Sequence, residues 1–185
     1  GAVFGKRVLV TGCGPIGNLL IGSLRAAGAA EIVAVDLSAS ALACAKKMGA
    51  TRTHNIADGI DALKRYTAEK GYFEVMFEVS GSAQALRNGL DCIAPRGVLV
   101  TVGLGGEVSL PLNLLVSREI DLRGTFRFHP EFAQAVDLLN RRIIDVRPVI
   151  SHTVPFEQAV RAFELAADKT QAMKVVLDFG VAEVD

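Results

Sequence analysis

The sequence predicts an α/β fold with a doubly wound, six-stranded parallel sheet, followed by a C-terminal helix–strand tail. Short β-rich runs alternate with helical patterns, as in repeated βαβ units with right-handed crossovers. Apolar residues make up 50% of the 185 residues and the mean hydropathy is +0.35. Such a composition suits parallel strands that are covered on both faces.

Six segments account for the predicted sheet. Each is short, is bounded by turn-forming residues and carries several β-branched or aromatic side chains. A complete doubly wound sheet needs about six strands. The predicted strands are Arg7 to Thr11, Glu31 to Asp36, Thr51 to Asn55, Phe73 to Val79, Gly97 to Val102 and Asp121 to Phe126.

Helices are predicted between these strands from apolar residues at helical spacing. The first runs from about Ile16 to Ala27, and Gly28 ends it. Ser38 is expected to cap the second helix, which Gly49 ends. The remaining helices are predicted at about Ile60 to Glu69, at about Ala83 to Ile93, and from Pro130 onwards.

After the sixth strand the regular alternation is lost. Arg147-Pro148 interrupts the pattern, and one further amphipathic helix from Phe156 to Ala167 precedes a last strand, Lys174 to Phe179. This tail is not a simple continuation of the six-stranded unit. We therefore predict one α/β domain at residues 1–147 and a separate tail at residues 148–185.

Charge and hydropathy exclude two classes of partner. Lysine plus arginine (20) equal aspartate plus glutamate (20), so there is no basic field to hold a nucleic acid. The uncharged run from Val8 to Leu24 is interrupted by glycine-bearing turns and Pro15, which argues against a membrane span. We expect a cytoplasmic protein whose partners are small molecules.

The three cysteines, Cys13, Cys44 and Cys92, match no zinc-ligand spacing and leave an odd one for disulfides. Reduced, buried thiols are expected. The chain starts at a glycine, almost directly with the first strand, and without a targeting signal. These features are typical of a fragment or of a processed chain.

A glycine pattern follows the first strand directly: Gly12-Cys13-Gly14-Pro15-Ile16-Gly17. In this spacing the first glycine permits a tight turn, the second lets a pyrophosphate approach the backbone, and the third lets helix and strand pack closely. The N-terminus of the following helix presents N–H groups and a positive dipole end to phosphates. The pattern predicts a Rossmann-type loop in which Gly12, Gly14, Pro15, Ile16 and Gly17 contact a dinucleotide.

The second strand ends at Asp36, about 20 residues beyond the glycine pattern. An acidic side chain there accepts hydrogen bonds from the adenosine ribose hydroxyls and repels a 2′-phosphate, which favours NAD over NADP. Leu37 is predicted to contact the cofactor beside it. The alternative interpretation of Asp36 is a carboxylate that caps the helix near Ser38.

Two further strand ends carry small residues. Ligands in doubly wound sheets bind outside the carboxyl ends of strands, near the point where the strand order reverses. Ser80 and Gly81 follow the fourth strand, and Val102, Gly103 and Leu104 follow the fifth. All five are predicted to leave room for the nicotinamide ribose, and ordinary turn chemistry is the alternative for both segments.

With these residues in place, the chain resembles the cofactor domain of the zinc-dependent medium-chain dehydrogenase/reductase family, most of all its sorbitol and L-idonate 5-dehydrogenase group. The run from Arg123 to Phe128 is the most specific to that group, and Lys70 to Glu74 favours the L-idonate side. The resemblance covers nearly the whole chain and is carried by Gly12 to Gly17, Val35 to Ser38, Phe77 to Gly81, Leu122 to Phe128 and Asp168 to Val175.

The resemblance implies an oxidoreductase, an NAD-dependent alcohol or polyol dehydrogenase. In that family Thr125, Phe126 and Arg127 would lie near the nicotinamide end. Arg127 is therefore the candidate for a polar contact with cofactor and substrate, and a surface arginine is the alternative.

Family members hold their catalytic zinc in an N-terminal, GroES-like domain, to which the tail returns. No zinc ligands are expected here, since His54, His129 and His152 are scattered without cysteine or glutamate at ligand spacing. In the whole enzyme, zinc would polarise a hydroxyl of a polyol or sugar acid and a hydride would pass to NAD. This chain alone is expected to bind NAD without catalysis.

Two alternatives remain open. A zinc-independent reductase of the same superfamily, such as a quinone oxidoreductase, usually prefers NADP and carries a basic or small residue in place of Asp36. A non-catalytic NAD-sensing module would share the fold and loop. A methyltransferase is disfavoured, since its glycine loop usually follows an acidic residue on the first strand, and Arg7 to Thr11 has none.

A homodimer or homotetramer is also expected. The segments Val98 to Val102 and Val108 to Leu110 are β-prone and are predicted to lie at an open edge of the sheet. Pairing of such edges about a two-fold axis would join two copies of the chain.

Overall fold

The computed structural model describes residues 3–128 and 130–180. Pro15 opens the first helix, where its missing N–H leaves no bond unmade. The strands and helices are β1 (Arg7–Thr11), α1 (Pro15–Ala26), β2 (Glu31–Asp36), α2 (Ala39–Met48), β3 (Arg52–Asn55), α3 (Asp61–Lys64), β4 (Phe73–Glu78), α4 (Ala83–Leu90), β5 (Ile93–Thr101), α5 (Leu112–Ser117), β6 (Asp121–Gly124), α6 (Glu131–Asn140), β7 (Ile150–Pro155), α7 (Ala159–Ala167) and β8 (Lys174–Asp178).

Strands β1 to β6 form one parallel sheet in the order β3-β2-β1-β4-β5-β6. The order reverses between β1 and β4, where Val8 is paired with Val75. This arrangement confirms the predicted doubly wound, six-stranded sheet. It places the reversal, and therefore the expected ligand crevice, at the carboxyl end of β1.

The core has two layers because side chains of β1 alternate between the faces of the sheet. Val8 and Val10 pack with Ile21 and other residues of α1 and α2 on one face. Leu9 packs with Met76 and other residues on the opposite face. All three β1 side chains have 0% exposure. This central strand is fixed from both sides, and so is the turn that follows it.

The helix boundaries near this turn follow the predicted chemistry. The hydroxyl of Ser38 accepts a hydrogen bond from the Ala41 N–H at 3.3 Å, which caps α2 as expected. Gly28 (φ 81°) follows α1 and Gly49 (φ 110°) ends α2, both in the left-handed region that favours glycine.

Several predicted boundaries are wrong. The segment at 60–69 forms only the single α-helical turn α3 and a separate 3₁₀ turn at Ala68–Lys70, in which Glu69 and Lys70 adopt positive φ angles of 53° and 69°. Strand β5 begins at Ile93, where α4 was expected to end, and its pairing with β4 shifts register between Phe73 and Val75. Helix α5 and strand β7 were not predicted, and strand β6 ends at Gly124.

The predicted open sheet edge is also wrong. Val98 is paired with Val75 of β4 on one side and with Asp121 of β6 on the other, so β5 is an interior strand. The segment Val108 to Leu110 is not a strand. Among the described residues the edges of the large sheet are β3 and β6. Self-association stays a prediction, but this pairing surface does not support it.

The tail carries a second, smaller sheet. Strands β7 and β8 make a parallel two-stranded sheet, crossed over by α7, in which Val154 is paired with Leu177. The tail contacts the large domain where the Cys44 thiol donates to the Pro148 carbonyl at 3.3 Å. No described helix combines the length and apolar character that a membrane crossing requires.

Candidate cofactor-binding site

The glycine turn joins β1 to α1 at the reversal point. A Cβ on Gly12 (φ 93°) would lie 2.6 Å from the Ser80 nitrogen, and one on Gly17 would lie 1.9 Å from the Gly12 carbonyl oxygen. Neither position therefore tolerates a side chain. A Cβ on Gly14, in contrast, would meet nothing within 4 Å. Two glycines are needed for packing, and the middle one leaves its side of the turn open.

This turn is tied to the neighbouring strand. The Gly12 N–H donates to the Val35 carbonyl at 2.9 Å, and the Cys13 N–H donates to Asp36 Oδ2 at 2.6 Å. From the other side, the Asn18 side-chain amide donates to the Cys13 carbonyl. The backbone of the turn is thus held by β2 and by α1 together.

Asp36 ends β2 beside this turn. Its Oδ1 accepts from the Ser38 N–H at 2.8 Å, while the cap of α2 is the Ser38 hydroxyl itself. The carboxylate therefore does not serve as the α2 cap. A carboxylate offers about four acceptor positions, so after two backbone bonds Asp36 can still accept from sugar hydroxyls.

Two cavities meet at the glycine turn, and Gly12, Asp36 and Ser80 line both. The smaller, of about 260 Å³, is bounded by Leu37, Ile56 and parts of α4. Its lining combines apolar side chains with neutral polar ones and a single carboxylate, that of Asp36.

The larger cavity, of about 760 Å³, runs from Gly14, Pro15 and Ile16 towards Lys169 and other residues of the tail. Ile16 and Leu37 are 62% and 66% exposed, so they present apolar surface to a ligand at the mouths of the two cavities.

Glu78 is a site residue that the sequence analysis did not single out. It ends β4 and is only 3% exposed. Its carboxylate accepts from the Ser80 hydroxyl, from the Ser80 N–H at 2.9 Å, and from the Gly81 N–H at 3.1 Å. An acidic residue closing an apolar strand just before Ser-Gly was the available signal.

The turns after β4 and β5 interlock. The Val102 and Gly103 N–H groups donate to the Glu78 backbone carbonyl at 2.8 and 3.0 Å. A Cβ on Gly103 would lie 2.1 Å from the Gly81 nitrogen, and one on Gly81 would lie 2.8 Å from the Leu104 carbonyl oxygen. Close packing of the two turns thus accounts for Gly81 and Gly103. The surface that the two turns form carries few side chains.

Residues after β6 complete this edge of the sheet. The Thr125 N–H donates to the Thr101 carbonyl at 3.2 Å. Arg127 has a positive φ of 59°, and its guanidinium lies 4.9 Å from the centre of the Phe126 ring. Both side chains are exposed. They are placed at the same edge as the glycine turn, because parallel strands present their carboxyl ends together.

The described residues do not provide a zinc site. Within residues 3–128 and 130–180, no three His, Cys, Asp or Glu side chains cluster at metal-binding distance. Burial, with a smaller effect of Asp36, raises the pKa of the Cys13 thiol to about 12, and burial raises that of Cys92 to about 11. At neutral pH both side chains are therefore protonated thiols.

The histidines have other neighbours. His54 Nε2 lies 3.0 Å from the Tyr66 hydroxyl, and His152 Nδ1 lies 3.1 Å from the Ser151 hydroxyl. His129 lies outside the described residues.

Comparison with known proteins agrees with this architecture. Residues 15–141 match the model of the zinc-binding dehydrogenase family. L-idonate 5-dehydrogenase (NAD(P)(+)) of Escherichia coli is 43% identical over 180 residues, which cover 97% of this chain and 52% of that protein. Sorbitol dehydrogenase of Rattus norvegicus is 38% identical over 177 residues, covering 94% of this chain and 49% of the relative.

The crystal structure of E. coli L-idonate 5-dehydrogenase superposes with a TM-score of 0.91, covering 97% of this chain and 51% of that one. The chain thus spans about half the length of the relatives it matches. The family predicted from the sequence is confirmed. This chain belongs to the zinc-binding dehydrogenase family.

Proposed function

We propose that the chain is the cofactor-binding domain of an NAD-dependent polyol or sugar-acid dehydrogenase of the L-idonate 5-dehydrogenase type. The observation that carries the proposal is the glycine turn, where the open side of Gly14 faces a large groove beside the Asp36 carboxylate. The family's NAD(P) chemistry fits this site because each part of a dinucleotide meets matching groups.

The diphosphate would lie at the start of α1. The first N–H groups of a helix have no acceptor within it. Gly14, at the N-cap, has no side chain to occupy them, and no acidic residue lies in the first turn. Together with the helix dipole, these groups make an anion site. Gly14, Ile16 and Gly17 are the residues whose backbone would hold the diphosphate.

The adenosine would occupy the smaller cavity. Asp36 would accept hydrogen bonds from the ribose hydroxyls, and Leu37 would cover the sugar or base. A 2′-phosphate would bring negative charge against the Asp36 carboxylate, and we therefore propose a preference for NAD over NADP. This goes beyond the family assignment, since the E. coli relative is named for use of both.

The nicotinamide end would lie over the interlocked turns, with Ser80, Gly81, Val102, Gly103 and Leu104 shaping its floor. When bound, NAD supplies the hydride acceptor. Thr125 and Phe126 would flank the ring, and Arg127 would provide a polar contact near the substrate. Orientation of this kind contributes substantially to lowering a hydride-transfer barrier.

We also propose that residues 148–185 belong structurally to a catalytic domain of the kind found in the family. Two side chains of α7, Val160 and Phe163, are 75% and 72% exposed. Phe156, which is 49% exposed, stacks on Phe179, which is 72% exposed, with ring centres 4.6 Å apart. Such an apolar face is typical of a surface that meets another part of a protein. The zinc and most of the substrate pocket would lie beyond it, so this chain alone should not oxidise polyols.

A titration with NADH, followed by fluorescence, tests the proposal. The chain should bind NADH. Gly14→Val should weaken binding at least about tenfold, because the valine side chain would enter the part of the larger cavity where the diphosphate is proposed to lie. Since the space beside Gly14 is open, the variant should keep the melting temperature of the wild type. Equal binding by both proteins, or no binding by the wild type, would refute the proposal.

A further inference from the structure

Asn18 is a buried polar residue whose role the dinucleotide pattern does not explain. It lies in the first turns of α1 and has 0% exposure. Its Nδ2 donates to the Cys13 carbonyl and lies 3.4 Å from the Gly14 carbonyl oxygen and 3.5 Å from that of Ala41. Its Oδ1 is buried without a hydrogen-bond partner in the described structure.

An apolar side chain of similar size would fill this place without burying an unpaired oxygen. Burial of an unsatisfied polar atom is unfavourable. The apolar pattern of α1 also favours an apolar residue there. The amide must therefore be explained by what its Nδ2 does, which is to hold carbonyl groups of the glycine turn.

Holding the Cys13 carbonyl fixes the direction of the next N–H group. A trans peptide is planar, so its C=O and N–H point in opposite directions. The Cys13 carbonyl is directed towards the buried Asn18 amide. The Gly14 N–H is consequently directed away from the buried amide, and Gly14 lines the larger cavity.

A second contact restrains rotation of the Cys13–Gly14 peptide. The Cys13 N–H, in the preceding peptide, donates to Asp36 Oδ2 at 2.6 Å. Asn18 also lies close to the tail, since its Nδ2 is 3.9 Å from the Met173 sulfur. The glycine turn is thus held by the Asp36 carboxylate on one side and by the buried Asn18 side-chain amide on the other.

We propose that Asn18 is a positioning residue that presents the Gly14 N–H to the cofactor diphosphate. The inference rests on the proposed function, because it names a residue that prepares the same site. Asn18 itself is too buried to touch a ligand, and it acts through the Cys13–Gly14 peptide. Loss of the Asn18 amide should therefore weaken the binding of ligands that carry phosphates and leave the adenosine contacts unchanged.

The test compares ADP with adenosine on the same protein samples by NMR titration, which measures weak binding. Asn18→Leu removes the amide at nearly constant volume. Asn18→Ser is a milder variant that decides the question if the leucine variant fails to fold, since its hydroxyl is too short to replace the amide at Cys13. Leu24→Ala, at a buried position of the same helix, is the control for loss of stability alone.

Both Asn18 variants should bind ADP about tenfold less tightly and adenosine within about twofold of wild type, as expected for one misdirected hydrogen bond to a charged group. Leu24→Ala should leave the ratio of the two affinities unchanged. Equal losses for both ligands, or no loss for ADP, would overturn the positioning role alone. If the wild type binds adenosine but gains nothing from the diphosphate, the proposed function fails and the inference fails with it.

Discussion

At the residue scale, the candidate site depends on a few polar groups whose partners are backbone atoms. The Asp36 carboxylate accepts hydrogen bonds from the N–H groups of Cys13 and Ser38. The Glu78 carboxylate accepts hydrogen bonds from the N–H groups of Ser80 and Gly81. Each carboxylate ends a buried strand and organises the turn beside it. The chemistry offered to a ligand is therefore mostly main-chain N–H groups, arranged by acidic side chains.

Replacing Asp36 tests the nucleotide preference. Asp36→Asn should weaken NADH binding by about 1–3 kcal/mol, because the neutral amide cannot accept hydrogen bonds from both ribose hydroxyls as the charged carboxylate does. The free energy of NADPH binding should fall by less. Fluorescence titration with both nucleotides measures the change in their ratio. Asp61→Asn, an exposed carboxylate paired with Lys64, is the control. An unchanged ratio in Asp36→Asn would show that the carboxylate does not face the ribose.

Replacing Glu78 tests the buried turn. Glu78→Gln leaves one backbone N–H facing an amide group, and the free energy of unfolding should fall by about 1–3 kcal/mol. Glu157→Gln, at an exposed position, should stay within about 0.5 kcal/mol of wild type. Urea denaturation measures both. Equal stability of Glu78→Gln and wild type would mean that the amide serves this turn as well as the carboxylate, against the role given to Glu78.

Sequence alone was enough to predict that the glycine turn joins β1 to α1 and that Asp36 ends β2, because spacing and the strand–turn–helix context are local. It could not predict Asn18, whose amide is hidden within an apolar helical run. A helical pattern indicates which face of a helix is buried. It does not indicate which carbonyl, a turn away, requires a donor.

At the element scale, the accuracy of the predictions depends on where each strand finds its partner. Strands β1 and β2 are apolar and central, and their bounds were predicted correctly. Strand β7 was missed because Ser151, His152 and Thr153 break its apolar pattern, and its partner β8 lies far along the chain. Strand β5 begins at Ile93, earlier than expected, and its pairing with β4 is irregular before Val98, where Arg96 has a positive φ of 61°.

Helix α7 gives a prediction of its own. Phe163 is 72% exposed, whereas the neighbouring Ala162 is 4% exposed. Phe163→Ser should therefore leave the melting temperature of this chain nearly unchanged, while Ala162→Leu should lower stability by about 1–3 kcal/mol through overpacking. Thermal unfolding measures both. A large loss for Phe163→Ser would mean that its ring already has a partner within the chain, against the proposed interdomain role.

At the scale of the whole molecule, the sheet, the two cavities and the tail form one arrangement around the glycine turn. The smaller cavity lies beside Asp36, Leu37 and α4, and the larger cavity extends from the start of α1 to the tail. This geometry would let a dinucleotide lie across the reversal point of the sheet, with its nicotinamide end over the turns after β4 and β5. Neutral net charge leaves recognition to these local groups rather than to a long-range field.

A crystal structure of the chain grown with NADH tests this account most directly. The diphosphate should lie within hydrogen-bond distance of the Gly14 N–H and the first turn of α1, with the adenosine ribose on Asp36. A dinucleotide bound with its diphosphate away from that helix end would contradict the account.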